Sequence, residues 1–178
     1  MRKLLFIATL AFVGLGNVNA QEQVVKFNPL AILGGTDLVS YERAVGGKSS
    51  IQVSGAIGGF KIGDVKYSSV GGELQYRYYF SEVLKGWYVS GGLGVQSGET
   101  EFTTLSLFED SSKEKIDFFS FNIGARAGYQ WIWDSGFSFE LNLGLGYRSF
   151  DYDDNSNSSI LKASGILPSG SLALGYAW

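Results

Sequence analysis

The side chains that usually carry enzyme chemistry are sparse in this sequence. It has no His and no Cys in 178 residues. The commonest general base and metal ligand is therefore missing, as are thiolate nucleophiles and disulfides. Catalytic triads that set Ser beside His and Asp have no base to use. Ser and Lys are present, but no spacing singles out a nucleophile and its activator. Gly46-Gly47-Lys48-Ser49 ends like a phosphate-binding loop. The full pattern requires Gly five residues before Gly47, and Glu42 stands there; no long helix pattern follows, so the segment reads as a turn. Gly91-Gly92-Leu93-Gly94 falls inside a strand pattern, where Gly permits close packing. Asp151, Asp153, Asp154, Asn155 and Asn157 make an oxygen-rich segment. A twelve-residue calcium loop starting at Asp151 needs Gly sixth and Glu twelfth, but Ser156 and Lys162 occupy those places. The expectation is a non-enzymatic chain, with no cofactor and no metal.

What remains is a set of charges at alternate positions, and alternation is an element-level signal. Period two marks a β-strand, because successive side chains point to opposite faces. Over 137–147, Phe137, Phe139, Leu141, Leu143, Leu145 and Tyr147 share one face, and Ser138, Glu140, Asn142, Gly144 and Gly146 share the other. Phe119, Phe121, Ile123, Ala125, Ala127, Tyr129, Trp131 and Trp133 alternate with Ser120, Asn122, Gly124, Arg126, Gly128 and Gln130. Leu74, Tyr76 and Tyr78 alternate with Glu73, Gln75 and Arg77. Eight strands are predicted, at about 24–33, 36–45, 50–61, 67–80, 86–97, 116–133, 137–150 and 160–178. A tight link at Gly34-Gly35 joins the first two. Short turns at 46–49, 81–86 and 134–136 alternate with longer polar loops at 98–115 and 151–159, the asymmetry of an outer-membrane barrel.

Residue size orients the two faces. The polar face is crowded with Gly, Ala and Ser, which suit a narrow interior; the apolar face carries the bulky residues, which need the outside. Trp87, Trp131, Trp133, Tyr176 and Trp178 lie beside the short turns or at the last strand. In a barrel they form a girdle at one membrane interface, where amphipathic rings sit best. The polar face then places Glu42, Glu73, Arg77, Arg126, Glu140 and Arg148 in the interior. Three acids meet three bases there, so the lumen is predicted to be closed by a charge network. Counted from the turns, Glu42, Arg77 and Glu140 form one layer, Glu73 and Arg126 a deeper one, and Arg148 stands nearer the outer mouth.

The first twenty residues differ from the rest. Arg2 and Lys3 precede an apolar run, and Val18-Asn19-Ala20 suits a signal peptidase. The predicted division is a cleaved signal peptide over 1–20 and a barrel domain over 21–178, located in the bacterial outer membrane. Removing Arg2 and Lys3 from the 14 basic residues leaves 12 against 17 acidic ones, a net charge of −5. That balance argues against nucleic acid as a partner. Outer-membrane lipid is the expected surroundings.

The last strand alternates Leu172, Leu174, Tyr176 and Trp178. It resembles the C-terminal signal of outer-membrane proteins, although that signal usually ends in Phe. The resemblance implies the barrel-assembly machinery as a partner. The chain as a whole resembles the small eight-stranded barrels of the OmpX, OmpW and OmpA-transmembrane kind. More narrowly, Asn28-Pro29-Leu30, Tyr41-Glu42-Arg43 and Leu167-Pro168-Ser169-Gly170 are similar to a family of such barrels of undetermined function. The resemblance implies an all-β, closed, antiparallel, up-and-down transmembrane barrel with a structural or surface-interaction role. Its alternative is OmpW-like transport of a small apolar molecule.

Overall fold

A computed structural model of the chain describes residues 22–33, 36–62, 65–104, 112–152 and 164–178. The expected signal peptide, and the oxygen-rich segment beyond Asp151, lie outside the described residues. Eight strands follow in order: β1 (Gln23–Phe27), β2 (Val39–Gly46), β3 (Ser49–Ile62), β4 (Val65–Tyr79), β5 (Gly86–Thr104), β6 (Ser112–Ile132), β7 (Phe137–Tyr152) and β8 (Gly165–Ala177). One short 3-10 helix, Pro29–Leu33, separates β1 from β2. Each strand pairs antiparallel with the next, and β1 pairs with β8 through Val24↔Ala177 and Phe27↔Leu174. The sheet therefore closes on itself as one ring.

Several boundaries differ from the sequence prediction. β1 stops at Phe27 instead of 33. Pro29 has no N–H for a ladder, and Asn28 folds the chain over: its Oδ1 accepts from Leu30 N at 3.1 Å and its carbonyl from Ala31 N at 3.2 Å. β2 consequently starts at Val39, so the connector is longer than a tight Gly34-Gly35 link. In the opposite sense, β5 and β6 run well into the predicted 98–115 loop, in register from Gly98↔Phe118 to Thr104↔Ser112. That stretch is polar, but polarity does not prevent a backbone ladder from pairing its N–H and C=O groups.

The short β1 leaves the ring uneven. Among the described residues, β3 beyond Gly55 pairs with β4 alone, and β8 before Leu174 pairs with β7 alone. The 3-10 helix packs against both bare stretches. Gly58 permits this, since a Cβ there would lie 2.4 Å from the Ile32 carbonyl oxygen. Pro168 sits on the part of β8 with a single neighbour, where a sheet tolerates proline.

The end carrying the short turns is called the turn end here, and the opposite one the loop end. Positive φ at Gly46, Gly47 and Gly136 lets two of these turns reverse tightly. Bulky apolar residues cover the outside: Ile57, Leu143, Leu145 and Ile166 are each more than 60% exposed. Glu42, Ser50, Gln75, Arg77, Gln130, Ser138 and Glu140 are buried inside. At the turn end an apolar plug of Val24, Tyr79, Leu84, Tyr88, Ile132 and Ala177 fills the ring. Leu84 enters it from the β4–β5 turn with φ of 68°, and its carbonyl accepts from Gln130 Nε2 at 2.6 Å.

Candidate functional site

Above the plug, four charged side chains from four strands meet. Lys26 Nζ of β1 donates to Glu42 Oε2 of β2 at 2.6 Å, to Gln130 Oε1 of β6 at 2.9 Å, and to Glu140 Oε2 of β7. Arg77 of β4 grips Glu140 with two parallel bonds of 2.8 and 3.1 Å and reaches Glu42 at 3.3 Å. Fork-to-fork geometry of this kind is the strong form of an ion pair. Tyr79 donates to Glu42 at 2.7 Å, and Ser50 donates to the same oxygen. Tyr88 and Asn142 donate to Glu140 at 2.6 and 2.8 Å. The Arg77 guanidinium also lies 4.6 Å from the Tyr88 ring centroid. Two acids and two bases balance, and every carboxylate oxygen has two or more donors. Such matching is what a dry charge cluster requires, because an unmatched charge there costs several kcal/mol.

A second cluster lies one layer toward the loop end. Arg126 of β6 bonds Glu73 of β4 at 2.8 Å and Asp37 of the β1–β2 connector at 3.4 Å. Thr36 donates to Glu73 at 2.8 Å, and Asn28 Nδ2 donates to Asp37 at 3.1 Å. The connector thus turns its polar side inward and helps fill the ring.

Arg148 of β7 stands apart. Its guanidinium lies 5.8 Å from the Phe150 ring centroid, and among the described residues no carboxylate pairs with it. It borders an interior cavity of about 110 Å3 that also touches Glu73, Arg126, Asn122 and Ser169.

The interior residues expected from the alternation are thus placed as follows. Glu42, Arg77 and Glu140 share one cluster, Glu73 and Arg126 the next, and Arg148 neither. Two members were missed. Lys26 lies on the inward phase of β1, between Val25 and Phe27, so its register was the available signal. Asp37 lies in a connector with no periodicity to read. The expected girdle residues stand on the outside at the turn end. Trp87 meets Tyr129 edge-on at 5.2 Å, Tyr129 meets Trp131 at 4.3 Å, and Trp131 meets Phe139 at 5.4 Å. Trp133 packs on Phe137 at 5.3 Å, and Tyr176 stacks with Trp178 at 6.4 Å.

The sequence matches one family model over residues 5–178, described as a protein of unknown function, DUF3575. The chain belongs to this family. No curated protein and no solved structure matches it. In this DUF3575 chain the described residues include no group of His, Cys, Asp or Glu able to hold a metal ion. The interior carboxylates of Glu42, Glu73 and Glu140 accept from cationic, hydroxyl and amide donors.

Proposed function

We propose that this chain is a non-enzymatic integral protein of the bacterial outer membrane, delivered by its N-terminal signal peptide. In this reading it is a transmembrane β-barrel with a closed interior and a structural or surface-interaction role, built like the small OmpX, OmpW and OmpA-transmembrane barrels. One observation carries the reading: the usual sides are exchanged. Charged residues such as Glu42 and Arg77 are wholly buried, while large apolar ones such as Leu143 and Ile166 are more than 70% exposed. Water would penalise that exterior; hydrocarbon favours it. A closed ring leaves no lipid-facing strand edge over the part where β1 and β8 pair, and beyond it the 3-10 helix packs against β3 and β8. The aromatic band at the turn end suits a membrane interface. β8, which closes the ring, is the segment for the assembly machinery to engage.

Cell fractionation followed by SDS gels of boiled and unboiled samples tests this reading. Outer-membrane recovery with a heat-dependent mobility shift is expected. A soluble periplasmic protein with no shift would overturn it.

A second reading, passage of a small apolar molecule into the bilayer, is favoured by the bare stretches of β3 and β8. Among the described residues the 3-10 helix alone bridges them, with Leu30 and Ile32 exposed. Faster uptake of an apolar solute by cells that carry the protein would support this reading.

A further inference from the structure

The loop-end half of the interior has a composition unlike the rest of the ring. Four rings project inward there. Phe60 of β3 stacks on Tyr67 of β4 at 5.3 Å, Tyr67 on Phe118 of β6 at 5.8 Å, and Phe118 leans on Phe150 of β7 at 6.3 Å. β5 lies between β4 and β6, so Tyr67 and Phe118 can meet only over a residue with no side chain. Gly98 is that residue: a Cβ on it would stand 2.7 Å from the Phe118 ring and 2.4 Å from the Ser68 carbonyl.

Arg148, which lines the 110 Å3 cavity, carries its guanidinium 5.8 Å from the Phe150 ring centroid and so joins the cavity to this aromatic wall. Phe150 is two residues beyond Arg148 on β7, and Phe118 is four beyond Asn122 on β6, toward the loop end. The cavity itself is rich in donors. Among the described residues Arg148 has no carboxylate partner, and the buried Nδ2 of Asn122 has no hydrogen-bond partner. Asn122 and Arg148 are direct cross-strand partners, so the two donors border the same space. Buried donors are normally satisfied. The cavity is roomy enough for more than one water-sized group.

We infer that this vestibule is a binding site for an organic carboxylate with an aromatic or aliphatic body. The carboxylate occupies the cavity, accepting from Arg148 and Asn122, and the body lies along Phe118 and Phe150. Among the described residues the cluster of Glu42 and Glu140 offers nothing comparable, because its charged donors are already committed. The inference needs only the ring, whatever surrounds it, so it stands or falls separately from the membrane reading.

Calorimetric titration of the folded protein in detergent tests it, with 4-phenylbutyrate as probe. The neutral 4-phenylbutanamide, ring-free butyrate and palmitate serve as comparisons. Phenylbutyrate is expected to bind, and the amide to bind roughly tenfold more weakly, the worth of one charge-assisted bond. Arg148→Gln is expected to weaken the acid by a similar factor while leaving the amide unchanged. Arg148→Lys should restore part of the loss, and Phe150→Ala should weaken phenylbutyrate more than butyrate. A β-sheet far-ultraviolet circular dichroism spectrum like that of the unmodified protein establishes that each variant still folds. Binding of palmitate in preference to phenylbutyrate would also support the site and assign its ligand to the bilayer. Equal binding of acid and amide, an unchanged Arg148→Gln variant, or no binding of any carboxylate at millimolar concentration would overturn it.

Discussion

At the turn end, Glu140 accepts from Lys26, Arg77, Tyr88 and Asn142; toward the loop end, Arg148 lies against Phe150 and has no carboxylate partner among the described residues. Both residues lie on the inward phase of β7, eight positions apart. One strand thus carries a fully matched charge and an unmatched one. The first is buried directly above the apolar plug, and the second borders a cavity. A narrow ring can hold charge in either way, but each serves a different end. Saturated pairing closes space and rigidifies it, whereas spare donors keep a capacity to bind.

The largest expected effect is Glu140→Ala. It leaves Lys26 and Arg77 buried against Glu42 alone and is expected to cost about 3–5 kcal/mol, read by urea titration in phospholipid vesicles. A loss below about 1 kcal/mol would erase the contrast between the halves. Leu84→Ala comes next, at about 2–4 kcal/mol in the same titration, because it opens a void where the plug is fully buried.

The phase of the strands was legible in the sequence, and phase alone sets Glu42, Glu73, Arg77, Arg126, Glu140 and Arg148 on the polar face. Depth was only partly legible. Period two assigns a side, but the meeting of Lys26 with Glu140, 114 positions away, depends on the register of a closed sheet. β1 was also misjudged in length, because the Asn28 turn overrides an apolar run. Phe118 and Phe150 fall on the polar phase, and that misfit was a visible sign of the vestibule. Leu84 gave no sign, since a turn residue that folds inward has no period. The same holds for Asp37.

Smaller effects sharpen the comparison at the loop end. Gly98→Ala is expected to cost about 1–2 kcal/mol by overpacking against Phe118, with altered near-ultraviolet circular dichroism from the displaced rings. An unchanged spectrum would mean that the stack does not depend on that gap. Arg148→Ala is expected to change stability by no more than about 0.5 kcal/mol. A loss as large as that of Glu140→Ala would show that Arg148 is a structural charge after all.

The proposal of a closed interior is tested most directly by conductance across planar bilayers, with insertion verified by quenching of Trp87, Trp131 and Trp133 with brominated lipid. Eight strands enclose a space that side chains can fill, and here the plug and both clusters occupy it. Inserted protein is expected to leave the bilayer silent. Large, steady channels from the unmodified protein would contradict the sealed ring.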